Sequence, residues 1–239
     1  MFASVLRLSL NDMARLRVKD AYGIHRIVYD LFEPVRDFAT SAGQTPASGI
    51  LYSDRGMKNG WRKIMIFSDR PPRDPNNSRF EKQYEITGDL LDKLLGFPSY
   101  RFEITVNPVK REKSRAEPTE PDATMVNSDK RKKSSGRLVP LRTREAVSEW
   151  FAAKAPTWGF DARHLEVTSL GVLQFEKKGQ QVTLGQATLT GLLTVRDTTR
   201  FAHSFTHGIG RAKAFGCGLL LIEPCSSPST QPSRHKESK

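Results

Sequence analysis

The chain has 239 residues but only two cysteines, Cys217 and Cys225. Two thiols are too few for a disulfide scaffold or a thiolate zinc site, and they suit a reducing compartment. Long hydrophobic runs are also missing, because the run Gly218–Ile222 is far too short to cross a bilayer. The first residues have no basic start and are interrupted by Arg7, so they do not form a signal peptide. These absences favour a cytoplasmic protein without membrane contact.

Acidic residues are outnumbered, with 26 Asp and Glu against 38 Lys and Arg, which gives a formal net charge of +12. A surface with this surplus repels itself unless a polyanion is bound. Nucleic acid is the most common polyanionic partner of such proteins. An anionic membrane surface is the competing partner, but the sequence has no long basic amphipathic helix. The charge therefore favours nucleic acid.

Hydrophobic periodicity predicts strands interleaved with helices along the whole chain. Leu6, Leu8 and Leu10 alternate with polar residues, which indicates a half-buried strand. An apolar stripe predicts a helix over about residues 22–32, with Asp20 as its N-cap. Further strands are expected at 49–52, 61–67, 100–107, 165–176 (with a bulge at Gly171), 186–195 and 219–223, further helices at 90–95, 143–154 and 197–207, and a loop at 70–78. This interleaving is typical of an α+β fold of ferredoxin-like type in each half.

Composition divides the chain into four segments. Residues 1–111 are expected to form an N-terminal ferredoxin-like domain, and residues 138–224 a C-terminal one with a glycine-rich loop. Residues 112–137 are polar, acidic at first and then basic, and hold too little apolar surface to order themselves. We expect a flexible insertion there and a disordered tail over residues 225–239.

Four short motifs occur in the order in which a known family has them. They are the Tyr-x-x-His motif in Ala21–Arg26, the Asn-Pro-x-Lys-Arg turn in Val106–Arg111, Val139–Leu141 with the following Trp150, and the glycine-rich loop Gly208–Leu220. Together they resemble the CasE family, the CRISPR RNA endoribonucleases of type I-E Cascade. The resemblance covers nearly the whole chain outside the insertion and the tail.

The resemblance implies two tandem ferredoxin-like domains that bind the stem-loop of the CRISPR repeat. It implies cleavage at the 3′ base of the stem, and retention of the product by a protein that works with the other Cascade subunits. His25 would be the principal acid or base, and Tyr22 would orient the 2′-hydroxyl or the scissile phosphate. The sequence departs from some relatives at Asp30, where they carry a lysine.

The residues themselves suit metal-independent cleavage of RNA, with no cofactor. RNA supplies its own 2′-hydroxyl nucleophile, and histidine can transfer the protons because its ordinary pKa lies near neutrality. Tyr22, His25 and Tyr29 fall on one flank of the predicted helix, off the apolar stripe and facing away from the core. The expected products are a 2′,3′-cyclic phosphate and a 5′-hydroxyl. The alternatives are a surface histidine without a role and a Tyr22 that only packs.

Basic residues flank the insertion and the glycine-rich loop. The predicted RNA contacts are Arg26, Lys110, Arg111, Arg137, Arg142, Arg144, Arg211 and Lys213. The loop glycines are Gly208, Gly210, Gly216 and Gly218. They would let backbone N–H groups approach phosphate, although a tight helix-to-strand connection explains them equally well. His203 and His207 have a metal-chelating spacing, but no carboxylate or thiolate cluster accompanies them, so no metal site is expected.

Two other functions remain open at this point. The first is a non-catalytic subunit that binds an RNA hairpin and retains the Tyr-x-x-His motif without using it. The second is a basic RNA-recognition protein of translation, which would stack single-stranded bases on an exposed sheet. The sequence has no aromatic-rich strand of that kind, so this function is disfavoured.

Overall fold

The protein consists of two four-stranded antiparallel sheets and one short hairpin. Its structure is a computed structural model that describes residues 1–34, 48–112, 137–177 and 179–225. The first elements are β1 (Phe2–Ser9), α1 (Leu10–Arg15), α2 (Ala21–Asp30), β2 (Ile50–Lys58), β3 (Trp61–Ser68), β4 (Phe80–Glu85) and α3 (Gly88–Leu95). The later elements are β5 (Ser99–Val106), β6 (Val109–Glu112), β7 (Arg137–Pro140), α4 (Arg144–Lys154), β8 (Phe160–Lys177), β9 (Gln180–Val195), α5 (Thr198–His207) and β10 (Leu220–Pro224), with 3-10 turns at Ala155–Trp158 and Lys213–Phe215. None of the helices in these ranges is long and apolar enough to cross a bilayer.

The first sheet has the strand order β2-β3-β1-β4, the order of a ferredoxin-like fold. Alternation in β1 places Leu6 and Leu8 in the core, and α2 packs Ile24 and Val28 against them. A loop over residues 69–79 takes the place of a second crossover helix between β3 and β4. The sequence predicts this loop from its proline, asparagine and aspartate content.

The end of β1 differs from the prediction. Alternation places Leu10 on the buried face of the strand, but Leu10 is 62% exposed and begins α1. The Ser9 hydroxyl accepts a hydrogen bond from the Asp12 backbone N–H at 3.0 Å, and the Asp12 carboxylate accepts one from the Ser9 N–H at 3.0 Å. This capping box starts a helix where alternation alone would continue the strand.

The second sheet has the order β10-β5-β9-β8, with α4 and α5 as its crossover helices, so it forms a complete ferredoxin-like unit. Thr143 and Asp197 cap these two helices by accepting backbone N–H groups of the first turn. Strands β8 and β9 continue past the end of their sheet as a two-stranded hairpin, because β5 pairs with β9 only as far as Ala187. This extension brings Phe175 against α2 of the first half.

Strand β5 lies in the second sheet, which changes the division of the chain. Composition places residues 1–111 in the N-terminal domain, whereas β5 pairs with both β9 and β10. Phe102, Ile104 and Val106 accordingly belong to the core of the second half. Alternation shows that a strand buries one face, but it does not show which sheet covers that face.

The hairpin of β6 and β7 frames the polar insertion, with Val109 opposite Pro140 and Glu112 opposite Arg137. Apart from these two ends, the insertion expected at residues 112–137 lies outside the described residues. The tail expected at residues 225–239 also lies outside them, apart from Cys225.

The first sheet has its own core beneath α2, and its other face adds side chains to the core of the second half. Leu51 and Phe67 of the first sheet join the cluster of the second half, and the Phe67 ring meets Phe205 edge-on at a centroid distance of 5.3 Å. The Tyr52 phenol donates a hydrogen bond to the Ala214 carbonyl at 2.9 Å, and burial raises the pKa of this phenol. Burying each large apolar side chain contributes about 1.5–3 kcal/mol, so these contacts hold the first sheet firmly against the loop that follows α5.

Candidate active site and basic cavity

A histidine and two tyrosines lie along one flank of α2. The Asp20 carboxylate caps this helix by accepting the Gly23 N–H at 2.9 Å, which fixes the direction of its first turn. The centroid of the His25 ring is 5.7 Å from that of Tyr22 and 4.3 Å from that of Tyr29. The side-by-side placement predicted from the helical spacing is therefore present.

Two phenylalanines of the second half close over these rings. Phe175, on the β8–β9 extension, lies parallel to Tyr22 at a centroid distance of 6.2 Å. Phe215, in the 3-10 turn after α5, is 5.5 Å from His25 and 4.5 Å from Phe175. We call these five residues, Tyr22, His25, Tyr29, Phe175 and Phe215, the aromatic cluster.

The exposure of this flank of α2 differs from the prediction. The helical wheel places Tyr22 and His25 away from the core, but both are only half-exposed because the second half covers part of them. Sequence reasoning did not identify Phe175 or Phe215 as neighbours of His25. Phe215 does lie within the glycine-rich motif, whereas Phe175 has no local signal and is 150 residues from His25 along the chain.

The Tyr29 side chain is held by a hydrogen bond at its phenol oxygen. Its phenol donates a hydrogen bond to the Ser48 hydroxyl oxygen at 3.0 Å, and the same oxygen accepts the Ile50 N–H at 3.3 Å. The tyrosine ring that packs on the imidazole is thus tied to the first residue of β2. This bond restricts the motion of the ring, and the ring in turn restricts the orientation of His25.

The glycine-rich loop is a tight connection. Gly208 and Gly218 have φ values of +76° and +91°, and the Ile209 N–H donates to the Gly218 carbonyl at 2.8 Å. A Cβ at Gly218 would lie 2.5 Å from the Ile209 oxygen, so only glycine fits there. The tight-connection interpretation therefore holds at these two positions. At Gly210, by contrast, the space around the backbone is open, and a phosphate could reach it.

Lys213 sits beside the aromatic cluster. Its ammonium group donates a hydrogen bond to the His207 carbonyl at 2.7 Å, and burial lowers the pKa of this lysine. It lines a cavity of about 850 Å³ together with Tyr29, Ser48 and His207. One predicted RNA contact thus shares a cavity with the tyrosine that packs on His25.

Three predicted RNA contacts come together where Arg211 of the glycine-rich loop approaches β6. Lys110, Arg111 and Arg211 line a cavity of about 480 Å³. Its remaining walls include Lys154, which the sequence analysis did not single out, and the indoles of Trp150 and Trp158. No acidic side chain of the described part of the chain lines it, although Lys110 forms an exposed ion pair with Glu112 at 3.7 Å. We call this site the basic cavity.

The other predicted contacts are dispersed. Arg26 is exposed on α2 next to His25, and Arg137 and Arg142 are exposed around β7. Arg144 donates a hydrogen bond to the Val167 carbonyl, which ties the start of α4 to β8. Arg144 therefore has a structural contact that its sequence position did not reveal.

The sheet orders and these two sites define the class of protein. It is a tandem ferredoxin-like protein that holds a histidine–tyrosine pair between its halves, next to a basic loop. A family model described as "CRISPR associated protein" matches residues 1–224. The chain belongs to this family.

Comparison with individual proteins agrees with this assignment. The chain is 24% identical over 227 residues to the CRISPR system Cascade subunit CasE of Escherichia coli strain K12, covering 91% of this chain and 98% of that protein. Its structure resembles the CRISPR endoribonuclease Cse3 bound to a 19-nucleotide RNA, with a TM-score of 0.65, 18% identity, and coverage of 94% and 100%. It also resembles Cas6e from E. coli K-12, with a TM-score of 0.61, 19% identity, and the same coverage. These matches confirm the CasE resemblance, and the structural ones confirm the tandem ferredoxin-like fold.

Proposed function

We propose that this protein is an endoribonuclease that processes precursor CRISPR RNA without a metal ion. It binds the hairpin of the repeat, cuts at the 3′ base of the stem, and stays on the product as a Cascade subunit in the cytoplasm. The observation that carries the proposal is the contact of His25 with Tyr22 and Tyr29 beside a basic loop. The names of the similar proteins, CRISPR endoribonuclease Cse3 and Cascade subunit CasE, support it.

The chemistry requires proton transfer and charge stabilisation. The 2′-hydroxyl loses its proton and its oxygen bonds to phosphorus. The bond from phosphorus to the 5′-oxygen breaks, and the 5′-oxygen gains a proton to become a hydroxyl. The products are a 2′,3′-cyclic phosphate and a 5′-hydroxyl. His25 transfers a proton in this reaction, and the Tyr22 phenol orients the 2′-hydroxyl or a phosphate oxygen.

The packing of the aromatic cluster suits this role. A general acid or base must be held within hydrogen-bonding reach of the reacting oxygen, and rings on three sides limit the orientations of the imidazole. Lys213, in the cavity next to Tyr29, and the exposed Arg26 add positive charge close to the phosphate. Together they offset the charge that develops on the phosphorane.

The basic cavity suits the RNA stem. An A-form helix hides its base edges in a deep groove, so a stem is recognised mainly through its phosphates and its shape. Lys110, Arg111 and Arg211 supply cations for that backbone, and Lys154 adds a fourth. Arg137 and Arg142, at the base of the neighbouring hairpin, extend the positive surface.

A cleavage assay on repeat hairpins in chelator tests the proposal. The wild type should cut at one position in chelator, and His25→Ala should bind the hairpin normally but cut it at least about 100-fold more slowly. His164→Asn is the matched control, because His164 is exposed, lies outside both sites, and has a φ of +51° that asparagine tolerates.

Two results would contradict parts of the proposal. If the wild type needs added magnesium, the metal-independent mechanism is wrong. If the wild type binds the hairpin tightly but never cuts it, the protein is a non-catalytic hairpin-binding subunit.

A further inference from the structure

A third cavity lies between the two sheets, next to the aromatic cluster. Its volume is about 550 Å³, and its walls come from the start of α2, from β2 and β3, and from β5, β8 and β9. Phe215 also lines it, and the ring of Phe215 is 5.5 Å from His25 on the other side. We call it the inter-sheet cavity. A group bound there lies one aromatic ring away from the proposed catalytic imidazole.

Apart from Lys19 at its rim, the charged side chains at the inter-sheet cavity are already engaged. The Asp54 carboxylate accepts a hydrogen bond from the Arg62 Nε at 3.0 Å. Arg55 forms an ion pair with Glu103, and the Asp20 carboxylate is used to cap α2. Because these charges neutralise each other, the cavity is poorly suited to a cluster of phosphates.

The remaining polar groups are neutral. Gln186 of β9 brings an amide to the cavity. This amide donates one N–H to the Cys217 sulfur at 3.9 Å, which leaves its acceptor oxygen and a second N–H for a ligand. Gln174 of β8 belongs to the opposite face of the β8–β9 hairpin, because it pairs with Thr183, and it is exposed. The hydroxyls of Thr105 and Thr188 lie 3.0 Å apart on its floor. Paired donors and acceptors beside an apolar wall match the edge and face of a nucleobase. The volume is in the range that holds one small ligand.

We propose that the inter-sheet cavity binds the base of the unpaired nucleotide that follows the cut, and that Gln186 reads its edge. This inference rests on the proposed function. When a hairpin is cut at the 3′ base of its stem, the nucleotide before the cut is paired and the next one is not. Lys19, exposed at the rim of the cavity, is placed to meet the phosphate of that nucleotide.

The test uses five hairpins that differ only in the nucleotide after the cut, which is A, C, G, U or an abasic residue. Under single-turnover conditions the wild type should cut its preferred RNA about tenfold faster than the abasic RNA, since one hydrogen bond is worth about threefold to tenfold. In Gln186→Ala, and in Gln186→Leu, which keeps most of the side-chain volume but removes the amide, this ratio should fall to about twofold. Gln181→Ala, an exposed glutamine of β9 outside the cavity, should keep the wild-type ratio.

Either of two outcomes overturns the inference. The first is equal cleavage of all five RNAs by the wild type. The second is a full preference in a folded variant of Gln186. Melting curves show whether Gln186→Ala is folded, and Gln186→Leu, which fills nearly the same volume, decides if it is not. Failure of the wild type to cut any hairpin contradicts the proposed function instead, so the two failures are distinct.

Discussion

Replacing Phe175 with leucine should slow cleavage without weakening RNA binding. Phe175 is 4% exposed and contacts Tyr22 and Phe215, but it is not within the basic cavity. Leucine keeps most of the apolar burial and removes the two ring contacts. Aromatic pairs contribute about 0.5–1.5 kcal/mol each beyond their buried area, so the loss is about 1–3 kcal/mol.

The size of the kinetic effect follows from that loss. If it all falls on the orientation of the Tyr22 and His25 rings, a loss of about 1–3 kcal/mol corresponds to a rate about 5-fold to 150-fold lower. Part of the loss will appear as lower global stability, so we expect single-turnover cleavage to fall about tenfold. The Kd for the hairpin, measured by filter binding, should change by less than about twofold, because no phosphate contact is removed.

A buried phenylalanine away from the site provides the control. Phe160 is fully buried in the core of the second half, and Phe160→Leu should lower the melting temperature without a comparable loss of cleavage. If Phe175→Leu cleaves at the wild-type rate, the aromatic cluster is ordinary packing and does not position the imidazole. If it binds RNA much more weakly, the hairpin extension contributes to binding rather than to orientation.

Three further predictions concern binding, the loop and pH. Arg211→Ala should weaken hairpin binding equally for all stem sequences. It should also make the slope of log association constant against log salt concentration shallower by about 1. An unchanged slope would mean that Arg211 does not contact a phosphate. Gly218→Ala should lower the free energy of unfolding, measured in urea melts, by about 1–3 kcal/mol. The reason is that the new Cβ would clash with the Ile209 oxygen at a φ of +91°. Wild-type stability would contradict this prediction. The hydrogen bonds from Ser9 lower the pKa of Asp12, so its stabilising effect should be full at neutral pH and be lost as the pH falls through the folded-state pKa. Asp12→Asn should therefore be less stable than the wild type at pH 7 and equal to it near pH 2, and a constant difference would argue against the capping interaction.

Local signals predicted much of the fold. Asp20 caps α2 as expected, because a capping side chain acts within a single turn, and Asp197 caps α5 in the same way. The prediction of a bulge at Gly171 is wrong. The register shifts of β8 lie between Arg163 and Glu166 and between Val167 and Ser169. Gly171 pairs regularly with Gln186, so the break in the apolar alternation comes from the irregularity just before it.

The candidate site was predictable only in part. The spacing in α2 is a property of one helix, and it placed Tyr22, His25 and Tyr29 correctly. The covering rings are non-local, because Phe175 reaches α2 only through the length of the β8–β9 extension and the shared core. The basic cavity likewise joins Lys110 to Arg211, which are 101 residues apart in the chain and meet through the second sheet.

A hairpin with a single 2′-deoxynucleotide before the cut tests the central claim most directly. With the 2′-hydroxyl gone, the mechanism has no nucleophile, so the wild-type protein in chelator should leave this RNA uncut. The matching all-ribose hairpin should give a 2′,3′-cyclic phosphate and a 5′-hydroxyl, which mass spectrometry of the fragments identifies. Cleavage of the deoxy hairpin at the same position, or a 5′-phosphate on the downstream fragment, would contradict the account.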